Sequence, residues 1–175
     1  MDDIFENKIK NSLKSYPDFP KKGILFRDVL TILKDPILFS ELIEKISKFD
    51  SVFNSEAIVA IDARGFIFGS ALSLFIKKPL IFARKPGKLP GDLITNSYKL
   101  EYGSNELCLQ RESLNEFKKF SIIDDLLATG GTASSVEKML IEESKEVTGL
   151  VVVVELSDLK GRKALNCAVN SVVSF

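Results

Sequence analysis

The sequence predicts an α/β fold with a central, mainly parallel sheet flanked by helices. Three observations predict it. Short apolar runs of strand length occur at residues 57–61, 79–83, 120–123 and 148–154, and segments with apolar residues at helical spacing lie between them. The runs AIVAI and LVVVV are unbroken rather than alternating, as strands covered on both faces are. No internal repeat or low-complexity linker divides the 175 residues, so one domain is expected, with right-handed crossovers between its parallel strands.

In chain order, residues 3–15 place Ile4, Phe5, Ile9 and Leu13 on one stripe and predict a short amphipathic helix. Residues 16–28, YPDFPKKGILFRD, hold Pro17 and Pro20 and cannot form regular helix. Tyr16, Phe19, Leu25 and Phe26 on this proline-stiffened loop either plug the core or cover a ligand. Asp35-Pro36 is a helix cap followed by a proline suited to the first turn, and Leu38, Phe39, Leu42, Ile43, Ile46 and Phe49 then form a core-facing stripe. The strand at 57–61 ends in Asp62-Ala63-Arg64-Gly65 before an apolar helical run at 66–76, and Arg64 at that turn is placed to hold an anion or to be a surface charge. The strand at 79–83 leads into Arg84-Lys85-Pro86-Gly87-Lys88-Leu89-Pro90-Gly91, a basic loop whose glycines and prolines suit a movable lid. Residues 97–101 and 106–110 alternate around a turn and predict a hairpin.

Chemistry is expected at FSIIDDLLATGGTA, residues 120–133, where a strand meets two acids, a glycine-rich turn and a helix read at 133–144. Asp124 and Asp125 are expected at the carboxyl end of the strand, where ligands bind in open α/β sheets. Thr129-Gly130-Gly131-Thr132 lets backbone N–H groups close on an anion at the positive end of the next helix. A P-loop would carry Lys after its second glycine, and a dinucleotide fingerprint would read G-x-G-x-x-G; neither is present. Acids beside a phosphate cup match a ligand with hydroxyls or a hydrated metal at one end and phosphate at the other, as in a ribose 5-phosphate.

Composition narrows the chemistry further. Lys plus Arg equals Asp plus Glu at 24 each, so there is no global basic field for nucleic acid. The complete lack of histidine excludes Ser-His-Asp and Cys-His catalysis and two-histidine metal sites. Oxygen donors remain, and they suit a hard ion such as Mg²⁺. Cys108 and Cys167 are far apart and read as two buried, reduced thiols. The start MDDIFENKIK is no signal peptide, and the longest apolar run, 66–76, is too short for a bilayer span, so a cytoplasmic protein is expected.

The motif IIDDLLATGGTA resembles the phosphoribosyl pyrophosphate (PRPP) motif of the type I phosphoribosyltransferases, and its LLATGGT form is most similar to the adenine-specific branch. PDFP through FRD, DARGF, RKPGKLPG, SYKLEYG and VELSDLKGR occur in the order of that family, so the resemblance spans nearly the whole chain. It implies the type I phosphoribosyltransferase fold, with residues 1–35 as an N-terminal hood and a flexible hairpin loop, and a homodimer. It also implies purine salvage, with Mg²⁺ as cofactor and PRPP and adenine as substrates. Asp124 and Asp125 would hold the ribose hydroxyls, directly or through metal-bound water. Ala128, Thr129, Gly130, Gly131 and Thr132 would hold the 5-phosphate. Ala63, which stands where serine is expected, Arg64, Arg84, Lys85 and Lys88 would hold pyrophosphate, and Pro86 stands where some relatives carry a cation. The backbone at Leu25, with Phe26 and Arg27, would read adenine, and Glu101 would handle the proton of the purine ring. A phosphoribosyltransferase for another base and a PRPP-sensing regulator on the same fold remain the alternatives, and 155–163 carries no chemistry derivable from its residues.

Overall fold

An unbroken apolar run must be covered on both faces, and two such runs, residues 57–61 and 150–154, flank the strand that carries the acids. The computed structural model describes residues 2–100 and 103–175; Glu101, with its expected proton-transfer role, lies outside the described residues. The elements run α1 (Asp2–Ser12), β1 (Lys14–Pro17), β2 (Leu25–Asp28), α2 (Pro36–Ser47), α3 (Asp50–Phe53), β3 (Ala57–Ile61), α4 (Gly65–Ile76), β4 (Leu80–Ala83), β5 (Leu93–Leu100), β6 (Gly103–Gln110), β7 (Lys119–Leu127), α5 (Gly131–Glu142), β8 (Glu146–Glu155) and β9 (Val169–Ser174). The central sheet has the order β4-β3-β7-β8-β9, and every pairing in it is parallel.

Alternation along each strand divides the core into two layers. Ile58, Ile123, Val151 and Val153 face α2 and α4, where Leu42, Ile46, Phe68 and Leu72 are buried. Val59, Ile122, Leu150 and Val152 face the other way, onto Val136, Met139 and Leu140 of α5. The expected cap of α2 is present: the Asp35 carboxylate accepts the N–H groups of Ile37 and Leu38, each at 3.0 Å. Because all five strands are parallel, the loops after β3, β4, β7 and β8 open at one rim of the sheet.

Several expectations are corrected. The sheet has a fifth strand, β9, which the sequence did not signal because VNSVVS mixes polar and apolar residues at an edge. The hood is a small antiparallel pair, with Lys14 opposite Asp28 and Pro17 opposite Leu25, rather than an irregular loop. Strand β7 continues past the acids to Leu127 because β8 extends beside it, so Asp124 and Asp125 lie inside the strand. Helix α5 begins at Gly131, two residues before the expected start. The hairpin is longer than expected, pairing Leu93 with Gln110, and joins β4 through reciprocal backbone hydrogen bonds between Arg84 and Cys108. Cys108 is buried, whereas Cys167 is only half-buried; both are free.

Candidate active site

The cup is set by the entry to α5. Gly130 caps the helix with φ of +84°, a left-handed conformation costly for other residues, and no side chain caps the N-terminus. The first N–H groups of α5 therefore have no helical partner and face a cavity of about 320 Å³. Its wall includes Asp124, Asp125 and the run from Leu126 to Ala133, together with Asp62, Ala63, Arg64 and Lys85. The structure thus brings the cup, both acids, Ala63, Arg64 and Lys85 around one space.

The two acids are adjacent and differ in their surroundings. Asp125 N–H donates to Asp124 Oδ1 at 2.8 Å. Burial, then the negative charge of Asp125, push the Asp124 carboxyl well above the usual carboxylate range. Burial also raises the Asp125 carboxyl, against the pull of Arg64. Arg64 Nε lies 3.0 Å from Asp125 Oδ2, an ion-pair distance, but off the line of a hydrogen bond. That oxygen is buried and has no hydrogen-bond donor among the described residues. Gly65 permits the close packing of this loop on β7, since an added Cβ would come within 2.9 Å of Asp124 Oδ1 and of the Ile123 carbonyl.

An orphaned, buried carboxylate oxygen beside a second acid fits a hydroxyl or a Mg²⁺-bound water. No cluster of three or more potential ligand residues is found among the described residues, so a metal here would draw most of its ligands from substrate and water.

Arg84 and Lys88 do not line this cavity. Arg84 Nε is 3.4 Å from Asp62 Oδ2, its Nη1 donates to the Lys88 carbonyl at 3.3 Å, and its guanidinium lies 5.6 Å from the centre of the Phe66 ring. The hood carries a second, open hollow of about 490 Å³, lined by Tyr16, Phe19, Phe26 and neighbouring residues. Phe26 meets Phe19 edge-on at 5.2 Å between ring centres and lies 5.7 Å from the Arg64 guanidinium, so the two spaces adjoin through that pair. Leu25 is half-exposed on β2. The side chain of Arg27 turns away from both spaces: it donates to Ser15 Oγ at 3.1 Å and stacks 3.4 Å from the centre of the Phe175 ring. Two features had no sequence signal, the Leu126–Leu127 wall beyond the acids and the approach of Gly161 to the cup.

The class follows from comparison: the family model described as the phosphoribosyl transferase domain matches residues 28–171, which take in the sheet and the cup. Among similar proteins, an adenine phosphoribosyltransferase of Prochlorococcus marinus (strain MIT 9215) is 55% identical over 98% of this chain and 100% of its own length. A solved adenine phosphoribosyltransferase from Saccharomyces cerevisiae, complexed with adenine and an imino-altritol bisphosphate, superposes with a TM-score of 0.89 at 34% identity, covering 98% of this chain and 99% of that one. One from Thermoanaerobacter pseudethanolicus gives 0.89 at 36% identity, with 97% and 99% covered. The chain belongs to the adenine phosphoribosyltransferase family.

Proposed function

We propose that the protein is a purine-salvage enzyme that transfers the 5-phosphoribosyl group of PRPP to adenine, giving AMP and pyrophosphate. The observation that carries this reading is the single cavity that joins an amide cup, two adjacent acids, Arg64 and Lys85, beside an aromatic-walled space in the hood. At the anomeric carbon the bond to pyrophosphate breaks and a bond to the purine ring nitrogen forms. The proton of that nitrogen passes to a base, a role assigned to Glu101.

The amides of Ala128 to Thr132 fix the 5-phosphate and so orient the ring. Asp124 and Asp125 hold the ribose hydroxyls and set negative potential beside a carbon that becomes cation-like as the leaving group departs. Arg64, Lys85 and the Ala63 backbone neutralise the leaving pyrophosphate at the cavity wall, with Arg84 and Lys88 assigned to the same anion. Mg²⁺, held by substrate oxygens and by water near the acids, would supply charge neutralisation on the pyrophosphate. Backbone groups at Leu25 read the adenine edge, and Phe26 packs on its face.

The balanced charge speaks against nucleic acid. No helix among the described residues is long and apolar enough to cross a membrane, and free cysteines fit a reducing cytoplasm. A homodimer would cover apolar side chains exposed on α4 and β4, where Leu74, Phe75 and Phe82 are 82%, 52% and 36% exposed.

The test offers adenine, hypoxanthine, guanine and xanthine separately with PRPP and Mg²⁺. AMP from adenine, with little product from the others, is expected. Preference for another base would overturn the hood assignment, and no product with any base would overturn the reaction.

A further inference from the structure

The segment from Glu155 to Cys167 has no part in the chemistry derived above, yet it is built against the cup. Gly161 lies so close that an added Cβ would be driven into the Ala128 carbonyl and would come within 2.9 Å of Leu127 Cγ. The approach is mutual: a Cβ on Gly130 would strike the Gly161 carbonyl and come within 3.0 Å of Ala164 Cβ. Backbone meets backbone here, so no rotamer change can relieve an added atom.

The segment is fastened at both ends. Arg162 donates Nε and Nη2 to the two carboxylate oxygens of Glu155, each at 2.6 Å, and Nη1 to the Val169 carbonyl at 2.6 Å. Glu155 stands in register with Leu127, the last residue of the strand that enters the cup. At the other end Glu137, 1% exposed on the helix that leaves the cup, accepts the N–H groups of Asn166 and Cys167. One clamp thus ties the segment to β8 beside β7, and the other ties it to α5.

We infer that the turn at 161–164 is the back wall that shapes the phosphate cup, with Gly161 as a positioning residue and the Arg162–Glu155 pair as its fastening. The inference rests on the proposed phosphate role of Ala128 to Thr132. Hydrogen bonds to an anion weaken steeply with distance and angle, so displacing the Ala128 and Gly130 peptides turns their N–H groups off the phosphate. The hood is untouched. Ligands with a phosphate therefore lose affinity when the wall is disturbed, and ligands without one do not.

Calorimetric titration of Gly161→Ala with AMP and with adenosine, beside the wild type, tests this. AMP binding is expected to weaken roughly ten- to a hundredfold, the loss of about one charge-assisted hydrogen bond, with adenosine unchanged. In turnover the KM for PRPP rises while that for adenine holds. Should Gly161→Ala not fold, Arg162→Lys carries the test: it keeps the charge but loses the two-pronged fit, and the same pattern is expected at smaller size. A folded variant that binds AMP as tightly as the wild type, or that loses AMP and adenosine alike, overturns the inference. A wild type that binds AMP no better than adenosine would instead sink the phosphate cup itself, and the wall with it.

Discussion

Asp124 and Asp125 are adjacent buried acids that, in the proposed reaction, would lie beside a developing cation. Both carboxyls are raised, Asp124 first by burial and then by its neighbour. A raised folded-state value means that the contribution to stability is present below the unfolded value, 3.8 for an aspartate, and is lost as pH rises through the folded values. At neutral pH, above the unfolded value, the buried pair therefore costs stability. Asp124→Asn should raise the thermal midpoint at pH 7, by roughly 2–4 °C for each kcal/mol recovered in a chain of this size, while turnover falls on the order of a hundredfold. Melting curves and initial rates on one preparation check both halves; a variant less stable at pH 7 contradicts the assignment. In the wild type, the acid limb of kcat/KM for PRPP should lie above the pH range of an ordinary aspartate, because protonating the pair removes its hold on the ribose.

At the scale of elements, the hood depends on a contact outside itself. Arg27 stacks on Phe175 beyond β9, and on β2 it alternates with Phe26, which lines the hood hollow. Phe175→Ala removes a cation–π contact of about 0.5–2 kcal/mol. The KM for adenine should rise several-fold and that for PRPP should stay, as steady-state kinetics would read; equal rises in both would deny the hood its separate role. Asp35→Ala should act in the opposite manner, costing about 0.5–2 kcal/mol of folding stability in denaturant melts with both KM values unchanged, since its two hydrogen bonds cap α2 far from the chemistry. The elements also differ in how far their residues announced them. The capped stripe of α2 and the unbroken AIVAI of β3 follow from local pattern. The hood strands do not, because two prolines argue against regular structure and residues 18–24 carry no tight-turn signal that would mark Tyr16 and Phe26 as partners. Nor does β9, a mixed polar and apolar stretch whose strand pairing is with its distant parallel neighbour β8.

For the molecule as a whole, a parallel sheet gathers sequence-distant loops at one rim, and this decides what could be read in advance. Strand-to-turn junctions with their acids, glycines and cations are local, so the cup, Asp124, Asp125 and Arg64 were legible as chemistry. Which cations face the cavity was not: Lys85 lines it, whereas Arg84 is held by Asp62, a choice made in three dimensions. Gly161 was illegible for the same reason, since it lies 31 residues beyond Gly130 in sequence and its constraint is a contact. The apolar side chains exposed on α4 and β4 carry the last expectation. Leu74→Glu should convert a dimer to a monomer in light scattering, because an acid there would be buried without a partner; a wild type that is already monomeric would refute the dimer.

The paired acids reach beyond catalysis. Bound PRPP with its metal ion would compensate two acids whose burial comes at a cost, and a ligand that binds only the folded form also protects it by mass action. Starved of substrate, the chain would spend more time open to proteases, so its cellular half-life would follow the supply of activated ribose. The same two side chains, in their proposed place beside the sugar, would then act as a gauge by which the amount of enzyme follows the need for it.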